Sequence, residues 1–180
     1  MNKKEFAIFA SALRTYFPKE NILPNQEAME LWYEMLSDVP YDVASAGLKK
    51  WISTNKWSPS IADIREMAST VTDGEIPDWG SAWGEVIQAI RHYGTYRESE
   101  ALRSLSPLCR KTVERIGFYN LCMSENETAD RANFRMVYEQ LAERNKKDSQ
   151  IPYSLKQLIG TMQNLRLSEN TSYQIEEKQE

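Results

Sequence analysis

Residues 32–66 read WYEMLSDVPYDVASAGLKKWISTNKWSPSIADIRE, and the spacing in this stretch decides the fold class. Trp32, Met35 and Leu36 recur at intervals of three and four, and Asp38 and Pro40 then break the pattern. Ala44, Leu48, Trp51 and Ile52 repeat it, Ser58-Pro59 breaks it again, and Ile61 and Ile64 resume it. Apolar residues at that spacing line one face of an α-helix, whereas a half-buried strand alternates every second residue. The stretch therefore predicts consecutive amphipathic helices joined by tight turns. Ser58-Pro59 reads as an N-cap followed by a first-turn proline. Helices this short do not hold together alone in water, so they must bury their stripes against one another.

The same pattern extends in both directions. Phe6, Phe9, Ala10, Leu13 and Phe17 share one face of a first helix that Pro18 ends. Pro24-Asn25 opens the second, whose stripe is Ala28, Leu31, Trp32, Met35 and Leu36, and Ala68 and Val71 extend the fourth. Residues 1–72 are predicted to form a small N-terminal helical bundle. Gly74, Pro77 and three acids in VTDGEIPD mark a linker at 73–78. A second helical region follows over 79–150. It has a stripe of Trp79, Trp83, Val86, Ile87 and Ile90 up to Gly94, and a short helix over Glu98–Leu105. Ser106-Pro107 starts a helix that Gly117 ends. Ser124 to Glu127 fits a capping box, opening a helix through Phe134, Val137, Tyr138 and Leu141 to about Arg144. Pro152 sets off an amphipathic segment at 151–166, and the polar 167–180 reads as a flexible, disordered tail. The predicted fold class is all-α.

The chain has 180 residues, enough for a real core in one domain or two small ones. Its 26 acids exceed its 22 bases, for a net charge of −4, which argues against a general DNA-coating protein. No apolar run approaches the length of a membrane span. Lys3 and Lys4 before Phe6–Leu13, with Ala10-Ser11-Ala12, imitate a signal peptide. Glu5 interrupts the basic region and the cut would fall inside the apolar run, so a first amphipathic helix is expected instead. Two cysteines without a secretion signal point to a cytoplasmic setting.

Several chemistries lack their residues. No Gly-Lys pair occurs, so there is no phosphate-binding P-loop. Gly80 and Gly84 near a helix start read as close-packing positions. Cys109 and Cys122 are thirteen apart and His92 is the single imidazole, which is too few ligands for a tetrahedral zinc site. The thiols read as apolar fillers, and His92 as an exposed residue near a helix C-terminus. No catalytic residue, cofactor or metal is expected.

Several candidate binding surfaces remain. The turn before the fourth helix raises a helix-turn-helix reading with Arg65 toward DNA, but Asp63 and Glu66 flank it and would repel phosphates. A stronger candidate is the run Arg91, Tyr93, Tyr96, Arg97, Arg103, Arg110, Lys111 and Arg115, where bases could stack on aromatic rings between cations. The competing reading is a solvated face with salt pairs around Glu114. Trp32, Trp51, Trp79 and Trp83 fall on stripes and read as core. Trp57 lies in a connection, either stapling a helix start or serving as an exposed anchor for a partner. Tyr153, Leu155, Leu158, Ile159, Met162 and Leu165 either fold into a groove on a partner or close the core of the second region.

Taken together, Trp32-Tyr33, Leu36, Trp51 and the run Ser58-Pro59-Ser60-Ile61-Ala62-Asp63-Ile64-Arg65 resemble the N-terminal helical domain of the phage replicative-helicase loader and inhibitor family, found in phages of Gram-positive bacteria. Trp83-Gly84-Glu85-Val86, Tyr93-Gly94 and Ser124-Glu125-Asn126 look like the C-terminal region of longer members. The resemblance implies a non-ATPase adaptor. Its expected partners are the replicative DNA helicase hexamer, which it holds inactive, and a phage origin-binding protein to which it delivers the helicase. In the family type a flexible C-terminal segment engages the helicase. Here a second folded region intervenes, and the candidates for the helicase-binding element are the 153–165 segment and the acidic tail that follows it. The alternative is a DNA-binding initiation protein that uses the basic run.

Overall fold

The structure is a computed structural model that describes residues 1–176, with side chains through Arg166. Among the described residues there are ten helices and no strand. They are α1 (Lys3–Tyr16), α2 (Gln26–Leu36), α3 (Tyr41–Thr54), α4 (Ile61–Asp73) and α5 (Trp79–Tyr93). Then come α6 (Glu98–Ser104), α7 (Pro107–Ile116), α8 (Phe118–Met123), α9 (Glu127–Gln150) and α10 (Tyr153–Glu176). The chain divides into two compact units, one of residues 1–73 with 149–180 and one of residues 74–148.

In the first unit, α1 to α4 bury Phe6, Phe9, Leu13, Leu36, Ala44, Leu48, Ile64 and Ala68 in one core. The predicted stripes supply all of these. Two stripe members of this unit are exposed. Leu31 is 62% exposed because it lies five residues, about 140° of helix, from the buried Leu36. Val71, in the last turn of α4, is exposed as well. Asn2 caps α1 reciprocally with Glu5, and Asn25 caps α2. Between them, Leu23 is buried with φ +58°, a left-handed conformation that is strained for a side chain of this size. The Arg14 guanidinium holds the Leu23 carbonyl there.

The start of α4 corrects the sequence expectation. The cap is Ser60, not Ser58: the Ser60 amide donates to Asp63 at 2.9 Å and Asp63 N–H returns to Ser60 Oγ at 3.2 Å. Ser58 instead donates through its hydroxyl to Glu20. Helices α3 and α4 meet at Gly47, where a Cβ would stand 3.2 Å from both the Ala68 nitrogen and the Met67 Cβ. Gly47→Ala is therefore expected to destabilise the first unit by about 1 kcal/mol, overpacking outweighing the gain in helix propensity. The urea midpoint would report this, and a stabilised variant would contradict the close approach. Close packing was expected at Gly80 and Gly84, yet the space beside Gly84 is open and only the Asp78 cap approaches Gly80.

In the second unit, Trp83, Val86, Cys109, Val113, Phe118, Phe134 and Tyr138 form the core. The Phe134 ring lies 5.2 Å from Trp83 and 5.6 Å from Tyr138 between centroids. Tyr138 donates its hydroxyl to the Pro77 carbonyl at 2.8 Å, and burial pushes its pKa up to about 12. Ser106 precedes Pro107 as predicted, but its hydroxyl makes no cap bond. Gly117, with φ +97°, ends α7 and turns the chain at once into α8, a helix the sequence reading passes over. Asn126 caps α9, accepting the Ala129 amide at 3.1 Å, in place of the expected Ser124. Nothing breaks α9 before Pro152, so it continues past Arg144 to Gln150.

Helix α10 opens after Pro152. The disordered tail expected at 167–180 lies outside the residues described with side chains; the backbone of α10 continues to Glu176.

Candidate partner-binding surface

Tyr153, Leu155, Leu158, Ile159, Met162 and Leu165 are all exposed on α10. Residues 155, 158, 159, 162 and 165 follow the three- and four-residue spacing of a single helical face. They are absent from the second core, so the reading in which they close it is corrected. An apolar face of this kind in water is the pattern of a helix that docks into a groove.

The N-terminus of α10 is attached to the rest of the first unit by a small set of polar contacts. The Tyr153 amide donates to Asp38 Oδ2 at 3.0 Å. Arg65 grips both oxygens of Asp38, at 2.6 and 2.9 Å, and donates to the Met35 carbonyl at 2.8 Å and the Ile151 carbonyl at 3.3 Å. Gln150 Nε2 reaches Glu66 at 3.2 Å, and Pro152, between Ile151 and Tyr153, is buried. The hydrogen bonds from Arg65, joined by that from the Tyr153 amide, hold the Asp38 carboxyl below the usual carboxylate range.

Arg65 is only 7% exposed. A guanidinium committed in this way is not available to phosphate, which removes the helix-turn-helix reading. The sequence showed Arg65 flanked by acids but not that its own partner lies 27 residues upstream.

Trp57 is 76% exposed, so it does not staple the start of α4. Its backbone is fixed nevertheless: the Trp57 carbonyl accepts from Trp51 Nε1 at 2.7 Å, and the next residue is tied to Glu20. Trp51 is accordingly half-buried and not a core residue, while Trp83 is buried in the second core.

The basic run is exposed at Arg91, Arg97, Arg103, Arg110, Lys111 and Arg115, and Tyr96 is fully exposed. Two of its cations are engaged locally. Arg97 lies 5.3 Å over the Tyr93 ring, donates to the His92 carbonyl at 2.6 Å and faces Glu100 at 3.7 Å. Arg110 pairs with Glu114 at 2.9 Å. The acids that accompany these arginines weaken the surface for phosphates. Sequence reasoning missed another cationic cluster, in which Arg131 and Arg135 lie 5.1 and 5.0 Å from the Trp79 ring. The four-residue spacing of the two arginines was visible, but their distant aromatic partner was not.

The Cys109 thiol is buried, and burial pushes its pKa up to about 12, so it is an unreactive filler. Cys122 is also raised by burial. His92 is exposed in the last turn of α5, against Tyr93. No group of three or more metal-ligating side chains occurs among the described residues. No helix among them is long and apolar enough to cross a membrane.

Residues 1–65 match the family model for the N-terminal domain of the phage SPP1 helicase loader/inhibitor. That match stops short of the second unit. No curated protein and no solved structure matches the chain.

Proposed function

We propose, from the match of residues 1–65 to the phage helicase loader/inhibitor family model, that this chain is a non-enzymatic adaptor of phage DNA replication. It binds a hexameric replicative helicase, holds it inactive and helps deliver it to an origin-binding protein in the host cytoplasm. The observation that carries the reading is the exposed face of α10 in a chain whose N-terminal helices have this ancestry. Leu155, Leu158, Ile159, Met162 and Leu165 supply a row of apolar anchors for a groove on the helicase, and the exposed Trp57 is a further anchor.

Inhibition requires more than binding. A ligand shifts an equilibrium only by the difference between its affinities for the two states. The adaptor must therefore prefer one conformation of the hexamer, and its affinity should depend on the helicase's nucleotide.

Light scattering on a mixture with a purified Gram-positive replicative helicase, with and without ATP, tests this. The expected result is a complex with the hexamer whose stability changes with nucleotide. Leu158→Glu combined with Met162→Glu should weaken it at least about tenfold, since each buries a carboxylate in the docked groove. A complex that forms equally well with the double variant would remove α10 from the interface. A protein that stays alone with helicase but shifts with a single-stranded oligonucleotide would move the reading to the basic run from Arg91 to Arg115.

A further inference from the structure

We infer that Asp38 and Arg65 are positioning residues for α10, with the turn between α2 and α3 supplying the N-terminal cap of that helix from far away in the chain.

The first N–H groups of any helix lack partners within the helix, and a side chain just before it commonly accepts one of them. The residues before α10 are Gln150, Ile151 and Pro152. Pro152 occupies the cap position, since its carbonyl accepts the Lys156 amide at 3.0 Å, and its side chain has no acceptor. The Tyr153 amide would be left without an acceptor if the cap had to be local. Asp38, 115 residues away in the chain, provides it from the turn between α2 and α3. A carboxylate suits that place, because the N-terminal end of a helix carries partial positive charge.

Arg65 completes the device. One guanidinium fixes the two oxygens of Asp38 and also takes the Ile151 carbonyl. The pair thus holds the chain on both sides of Pro152, by the carbonyl before it and the amide after it. Arg65 and Pro152 are buried, so the Arg65 contacts are partly shielded from water, while the Tyr153–Asp38 bond lies at the surface. The bidentate pairing also fixes the orientation of the carboxylate that receives Tyr153. The origin of α10, and with it the placement of its apolar face, is set by residues of α4 and of the turn before α3. The functional weight of this arrangement rests on the reading of α10 as the helicase-binding element.

Residue-resolved hydrogen exchange on the full chain tests the assignment. Asp38→Ala should raise the exchange rate of the Tyr153 and Lys156 amides at least about fivefold more than that of Leu48, which reports the first core. Adding Pro152→Ser to Asp38→Ala supplies a local cap for the Ser154 or Leu155 amide and should return part of the lost protection at Lys156, though not at Tyr153, without changing Leu48. If the α10 and Leu48 amides change in step and the added serine does nothing, Asp38 is a structural residue of the bundle and the inference fails. Should Asp38→Ala not fold, Asp38→Asn, which keeps an acceptor but loses the charge, allows the same comparison with a smaller ratio. Helicase binding is measured on the same samples. If the unmodified chain binds none, the functional reading falls while the exchange ratios still decide the positioning role.

Discussion

Replacing Phe134 with alanine is expected to cost the second unit about 3–5 kcal/mol, the range for deleting a buried aromatic ring. The ring is fully buried on α9 and touches rings on both sides, Trp83 of α5 and Tyr138 one helical turn on. Its removal opens a cavity that neither neighbour fills without moving. Trp83 is held in the core, and the Tyr138 hydroxyl is committed to Pro77. The lost ring contacts add about 0.5–1.5 kcal/mol to the area term for each pair. Phe134→Leu keeps most of the volume and should cost under about 2 kcal/mol. Urea unfolding followed through the exchange of the Val86 and Val113 amides measures both. Equal costs for the two variants would mean that Phe134 does not close this core.

Arg65→Ala is the second large effect, expected at about 2–3 kcal/mol in the first unit. Breaking a fully buried ion pair costs about 3–5 kcal/mol, because one charge is stranded. Here the stranded partner is Asp38, whose side chain is 30% exposed and is therefore partly solvated. That exposure sets the estimate below the full range. The carbonyls of Met35 and Ile151 also lose their donor. A double-mutant cycle with Asp38→Ala should show a coupling of about 1–3 kcal/mol. Additive single effects would show that the contact contributes nothing of its own.

The helices were legible because their signals are local. Asn25 before α2, Gly94 after α5 and Pro107 at the start of α7 each act on the backbone beside them. The stripes were legible for the same reason, down to Phe134 and Tyr138 in one core and Leu13, Leu48 and Ile64 in the other. Cap choice was harder. Ser58 and Ser60 are chemically equal as candidates, and Glu20, from a different turn, takes the first of them. The stripe at 155–165 was visible, but its exposure was not, since the same spacing describes a helix packed in a core. The Asp38–Arg65 contact was invisible: each residue reads as a surface charge until α2, α4 and the start of α10 are brought together. Trp57 shows the same limit in reverse: its place in a connection left a helix staple and an exposed anchor both open, and only the fold decides between them.

The division of the first unit into residues 1–73 and 149–180 has a consequence for biosynthesis. Arg65 and Asp38 leave the ribosome early, whereas the Ile151 carbonyl that completes the Arg65 contacts follows 86 residues later. At translation speeds of about 5–20 residues per second, that interval is roughly 4–17 s. Throughout it the bundle of α1 to α4 is already synthesised, and Arg65 lacks its Ile151 acceptor. Helix α10 is thus synthesised after the residues that receive it, with the intervening helices made in between.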